Sequence, residues 1–178
     1  MRRVLRERAR GKRTREPDLA DPFVDLLPDL GMDRALDVVT AVLTAIAGPP
    51  GTAAVSLLYE FVRNPEWQQR LTAELAGVEP AAFRTAPTWA APVTHRFVKE
   101  VLRMWSPPLL LVRRSKYAFD LGRTRREPGQ WYLLSPHMIH RDERVWKQPD
   151  VFDPARFLPG APHGPADRTC YVPFGWAP

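Results

Sequence analysis

A handful of side chains in this 178-residue chain have the type and spacing to do chemistry. Glu100 and Arg103 stand three apart in "THRFVKEVLRMWS", close enough on one helix to form an ion pair. By itself that spacing says little, because exposed pairs of this kind contribute almost nothing. His137 and His140 are also three apart, which on a helix permits shared metal ligation, but no third ligand stands near them. Cys170 is the single cysteine, which rules out an internal disulfide framework and suits a reducing cytoplasm. The closing stretch "YVPFGWAP" sets Phe174 and Trp176 around Gly175, between prolines, as a loop built to hold something flat.

The elements that must position these groups are read from periodicity. "MDRALDVVTAVLTAIAG" places Leu36, Val39, Leu43 and Ile46 at helical spacing, with Asp33 as a cap and an apolar band wide enough to be buried on most sides. "GPPGT" interrupts this pattern from Gly48 to Thr52, and helix resumes in "AAVSLLYEFVRN". Two separate helices joined by a turn, or one long helix opened where a ligand approaches, both satisfy the pattern. A short amphipathic helix, "PEWQQRLTAELAG", follows, and residues 78–92 read as connection. The helix carrying Glu100 and Arg103 has Phe97, Val98, Val101, Leu102 and Trp105 on one side and stops at Pro107 and Pro108. "LLLVRRSKYAFDLG" and "QWYLLS" read as strands separated by a basic turn at Arg123–Arg126. The fold class is therefore mainly α with a minor β-sheet.

Charge is unevenly placed. Residues 1–16 hold eight Arg or Lys and two Glu, so the whole net charge of +6 lies on this leading arm, which reads as a solvated helix end. It lacks interleaved aromatics that would stack on bases, so no nucleic-acid partner is expected. "EPDLADPFVDLLPDLG" reads as a Pro-broken connection, and residues 17–178 as one incomplete domain. No uninterrupted apolar stretch approaches the length of a membrane span, so no membrane partner is expected.

Taken in order, these segments resemble the C-terminal half of a cytochrome P-450, a haem-thiolate monooxygenase. "KEVLR" is similar to that family's Glu-x-x-Arg helix, and "FDPARF" to its segment before the haem loop. "PFGWAP" resembles the start of the haem-binding loop, "AIAGPPGTAA" the long distal helix, and "NPEWQQRLTAEL" the helix after it. The resemblance implies that Arg156 joins Glu100 and Arg103 in a buried structural triad, two arginines forking onto one carboxylate beneath the haem. It implies that Arg113 reaches a haem propionate, with neighbouring Arg114 as the competing candidate, and that Phe174 and Gly175 lie against the haem. His140 then reads as a structural residue near that loop. Haem b is the implied cofactor; O2, a small organic substrate and a ferredoxin- or flavodoxin-type electron donor are the implied partners.

Two departures qualify what is carried over. The family pairs an acid with an alcohol in its distal helix to relay protons. Alignment on Ala47 and Gly48, where the helix opens, puts Pro50 at the acid position and Gly51 at the alcohol, so Thr52 becomes the candidate oxygen and proton relay. The family's thiolate ligand, counted from Phe174, falls at position 181, beyond Pro178. Cys170 precedes the loop and is not the expected ligand. The chain thus reads as a fragment inactive alone, the alternative being a degenerate interaction module that binds no haem.

Overall fold

In the computed structural model, which describes residues 1–162, 164 and 168–175, the basic run at the start is not a solvated arm. It forms α1 (Arg2–Ala9), whose Leu5 is fully buried with Ala20 and Val24 beneath Phe23, Leu27, Met32 and Leu36. Arg8 is buried too, its guanidinium forking onto the Asp18 carboxylate through two 2.7 Å bonds. Arg15 grips Asp21 and Asp25 in the same way. Counting charge through residue 16 isolates the arginines from these three carboxylates, which follow at once and neutralise part of the excess. The compact unit that results runs from Met1 to Pro50.

The Pro-broken connection is also helical. α2 (Asp21–Leu30) starts with Pro22 in its first turn, where the missing N–H is not needed, and tolerates Pro28 inside its last turns. α3 (Met32–Ala47) begins after Gly31, which serves as its N-cap; Asp33 lies inside the first turn and pairs with Arg2 at 2.5 Å instead of capping. Of its apolar band only Ala35 and Val39 are buried, whereas Leu43 and Ile46 are exposed, contrary to the expected burial on most sides.

Only Gly48 leaves the helical pattern before α4 (Pro49–Arg63) begins. Its backbone stays right-handed, at φ −86° and ψ −68°, and its N–H still bonds to the Thr44 carbonyl at 3.3 Å. Both prolines fall in the first turn of α4, where they cost no hydrogen bond. Because so little is interrupted, Met32–Arg63 is by length and composition long and apolar enough to cross a membrane, which corrects the sequence expectation.

The second unit, Gly51–Pro178, holds the rest of α4, α5 (Pro65–Ala76), α6 (Pro80–Thr85), α7 (Pro87–Ala90) and α8 (Pro92–Met104). Residues 78–92, expected as connection, thus contain two short helices, each opened by a proline. Leu71, Phe97 and Val101 form the core, surrounded by Leu57, Phe61, Trp67, Val93, Trp105 and Phe152. α5 also caps α8: the Glu74 carboxylate accepts from the Val93 and Thr94 N–H groups and the Thr94 hydroxyl, each at 2.7 Å. A carboxylate on those orphan donors fixes where α8 starts, a contribution of about 1 kcal/mol.

After α8 the chain forms two separate antiparallel pairs among the described residues: β1 (Leu111–Arg114) with β4 (Trp131–Leu134), and β2 (Phe119–Leu121) with β3 (Thr124–Arg126). The basic segment expected as a turn is therefore mostly strand. The turn itself sits at Gly122, whose φ of +61° a side chain would resist. α9 (Pro136–Ile139) and a 3-10 turn at Pro154–Phe157 complete the framework under the site.

Candidate functional site

Glu100 and Arg103 lie on the face of α8 that turns inward, and both are fully buried, as is Arg156 in the 3-10 turn. Arg103 is bidentate on Glu100, Nε to Oε2 at 2.8 Å and a terminal nitrogen to Oε1 at 2.9 Å. Arg156 reaches Glu100 through Nε alone, at 3.0 Å, so the double fork expected from the resemblance is formed by one arginine and not by two. The remaining N–H groups of Arg156 donate to the carbonyls of Lys147, Gln148 and Val151 at 3.0–3.3 Å. Glu100 also accepts the Asp153 N–H at 2.9 Å. One buried carboxylate and two guanidiniums thereby hold the backbone of residues 147–153 in place. Gln148 takes a left-handed φ of 47° within that wrap, a cost of roughly 1 kcal/mol that the surrounding bonds offset.

His140 is fully buried beside the triad. Its Nε2 accepts the Val172 N–H at 2.9 Å, which leaves the ring hydrogen on Nδ1, 3.0 Å from the Arg103 carbonyl and 2.7 Å from Ser106 Oγ. Ser106 donates its own hydrogen to the Leu102 carbonyl at 3.0 Å, so each polar atom has a consistent role. Burial pulls the imidazole down to about 4, and the neighbouring Arg103 and Arg141 cations act in the same direction. The ring stacks on Tyr171 and meets Trp146 edge-on. Lys99 lies over the rings of Phe157 and Tyr171, at 4.4 and 4.8 Å. His137 faces elsewhere, its Nδ1 2.9 Å from Arg141, so the two histidines do not form a metal pair. Ser106, Trp146, Tyr171 and Lys99 were not singled out in the sequence, where none carries a spacing signal of its own.

The loop that follows is turned by a bond from the Gly175 N–H to the Val172 carbonyl at 3.0 Å. Gly175 has φ +87°, and a Cβ there would lie 2.4 Å from Leu111 Cδ1. The left-handed backbone favours glycine, and a side chain there would also have to displace the end of the Leu111 side chain on β1. Phe174 is 62% exposed. Trp176 and Pro178, the end of the expected haem-binding stretch, lie outside the described residues.

Strand alternation separates the two arginines. Arg113 shares its face of β1 with Leu111, the side that meets Gly175, whereas Arg114 faces the other way. Arg114 donates to the Gly129 carbonyl at 3.1 Å and covers Trp131. Arg113 is exposed and donates to the Val112 carbonyl at 3.0 Å. Thr52 is exposed in the first turn of α4. A Cβ on Gly48 would sit at an ordinary 3.7 Å from the Thr44 carbonyl, so neither space nor backbone demands glycine there. Cys170, half-buried at the end of a 3-10 turn (Arg168–Cys170), precedes the Val172 bond and the Gly175 turn.

The Cytochrome P450 family profile matches residues 30–178. Similar proteins include a cyclooctatin synthase of Streptomyces melanosporofaciens, 33% identical over 75% of this chain and 30% of its own length. A taurochenodeoxycholic 6 alpha-hydroxylase of Sus scrofa is 34% identical over 78% of this chain and 30% of its own. A ferruginol synthase of Salvia miltiorrhiza is 29% identical over 96% of this chain and 37% of its own. The structure of retinoic acid bound cyanobacterial CYP120A1 superposes with a TM-score of 0.80 at 21% identity, covering 98% of this chain and 41% of that one. A zebra fish cytochrome P450 with abiraterone superposes at 0.78, covering 99% and 44%. The chain thus spans about a third of the length of these curated relatives. With this profile match over most of the chain and the same fold throughout, the chain belongs to the cytochrome P450 family.

Proposed function

We propose that this chain is the part of a haem-dependent monooxygenase that runs from the distal helix to the start of the haem-binding loop. The observation that carries it is the seating of Gly175 on Leu111, with Phe174 exposed and Arg113 on that same side of β1. The donor set fits the rim of a flat group that bears carboxylates. Arg113 offers a guanidinium suited to a propionate, and the glycine lets the backbone come close. An iron ligand is not among these residues, since Cys170 stands ahead of the turn.

Haem b, when bound, supplies O2 activation and the insertion of one oxygen atom into an organic substrate. The residues of this chain position it. Arg113 would hold a propionate, Phe174 and Gly175 would lie against the haem, and the Glu100–Arg103–Arg156 triad holds the segment before the loop. Thr52, in the first turn of α4, is the candidate hydroxyl to pass a proton, since Pro50 at the family's acid position has no group to do so. The electron donor would be of ferredoxin or flavodoxin type, and the single cysteine supports a cytoplasmic location. Met32–Arg63 lies wholly inside the family-matched residues, which supports a helix of the family fold over a membrane span. The name of one relative, a hydroxylase, supports oxidation of a small organic substrate.

The test is haem affinity in a longer product that carries the loop through position 181. Arg113→Ala should weaken haem binding at least about tenfold, the worth of one charge-assisted bond, and Arg114→Ala should leave it unchanged. Equal effects, or no haem uptake by the unmodified product, would overturn the reading.

A further inference from the structure

We propose that His140, neutral and carrying its hydrogen on Nδ1, is the positioning residue that fixes where the Val172–Gly175 loop leaves the end of α8. Among the described residues, the Val172 N–H donated to His140 Nε2 is the one hydrogen bond that the backbone of residues 171–175 makes to the rest of the unit. Everything behind that bond is fixed from the other side. Arg103 and His140 clasp each other twice: the Arg103 guanidinium donates to the His140 carbonyl at 2.7 Å, and the His140 ring donates back to the Arg103 carbonyl. The residue that anchors Glu100 therefore also fixes the imidazole, and the imidazole fixes the loop. Tyr171 stacks on the ring and sends its hydroxyl hydrogen to the Lys99 carbonyl at 3.1 Å, which sets the approach of the loop but not its register.

The arrangement works in one protonation state. A second ring hydrogen would place Nε2–H against the Val172 N–H, two donors facing each other, and the bond would open. Burial opposes that proton first, and Arg103 from α8 with His137 and Arg141 from α9 and just after it act the same way. The Arg103 carbonyl, which accepts from the ring, favours it, Ser106 just past α8 lies against Nδ1, and Trp146 and Tyr171 close the sides. Burial holds the imidazole near 4, so the latch stays closed at neutral pH and opens in acid. The consequence for an iron ligand further along the loop rests on the proposed haem reading, but the latch itself does not.

The test uses amide exchange and imidazole nitrogen shifts on residues 1–178, with no haem present. The unmodified chain should show the Nδ1–H tautomer. His140→Asn keeps a donor near the Nδ1 position and removes the acceptor; it should speed Val172 exchange at least about tenfold while Val101 in α8 is unchanged. His140→Gln, whose amide oxygen reaches the Nε2 position, should restore most of the protection. If the Asn variant does not fold, the acid titration of the unmodified chain decides. Val172 protection, corrected for intrinsic exchange, should fall with imidazole protonation and ahead of Val101. An Nε2–H tautomer, equal Val172 exchange in the Asn and Gln variants, or Val172 protection lost only with global unfolding would overturn the proposal. Failed haem uptake by the longer product would leave these readouts untouched, so the two readings fail separately.

Discussion

The first fifty residues and the segment around α8 use the same chemistry, arginine forked onto carboxylate, to opposite effect. In the Arg8–Asp18 and Arg15–Asp21–Asp25 group the carboxylates keep contact with water: the Asp18 side chain is 45% exposed. In the Glu100–Arg103–Arg156 group every member has 0% side-chain exposure. Water reaches the carboxylates of the first group, although Arg8 itself is buried, and reaches no member of the second. Removing Glu100 takes from two buried guanidiniums the carboxylate that joins them, which makes the group a determinant of one backbone arrangement more than a source of net stability.

The largest effect should come from breaking the buried group. Glu100→Gln takes the shared carboxylate from two buried guanidiniums and should cost about 3–5 kcal/mol, read as a lowered midpoint in urea unfolding. A midpoint shift no larger than that of Asp18→Asn would erase the contrast between the two regions. Next comes acid. His140 titrates near 4 when folded and near 6.5 when unfolded, so the unfolded chain binds the proton first. The stability it contributes is complete above about pH 6.5 and is lost as pH falls towards 4, at most on the order of 3 kcal/mol. Urea midpoints across that range should fall in the unmodified chain and flatten in His140→Gln.

Gly175→Ala should cost about 1–3 kcal/mol, since it forces a side chain into a left-handed backbone and onto Leu111. The loss should appear as faster amide exchange at residues 172–175 while α8 keeps its protection. Gly48→Ala, with ordinary space and a right-handed φ, should leave the thermal midpoint unchanged or raised. A smaller loss belongs to the pairs whose carboxylates meet water. Arg8 holds the Asp18 carboxyl down at about 2, so what it contributes is present above the usual carboxylate range and is lost as pH falls towards 2. Asp18→Asn should lower the midpoint less than Glu100→Gln or Gly175→Ala, and raised salt should shrink even that.

Much of the site was legible because its parts are local or ordered along the chain. The i,i+3 spacing of Glu100 and Arg103, the "FDPARF" segment and the Gly175 turn can each be read from neighbouring residues. What escaped the sequence depends on pairing across long separations. The side to which Arg113 points became definite only once Val112 was opposite Leu133 and Leu111 met Gly175. The carbonyl bonds of Arg156 and the link from His140 to Val172 join residues whose contact no periodicity announces. The helices at Arg2–Ala9 and Asp21–Leu30 were missed for a different reason: charge density and prolines argued against structure, while Leu5 and Val24 supplied the burial that overrode both.

The most direct measurement is the carbon monoxide difference spectrum after haem titration, taken on residues 1–178 and on a longer product that carries the loop through position 181. The account predicts a thiolate-type band from the longer product and none from residues 1–178, because Cys170 precedes the turn that Gly175 makes against Leu111. A thiolate-type band from residues 1–178 alone would assign the ligand to Cys170, and no band from the longer product would remove haem from the account altogether.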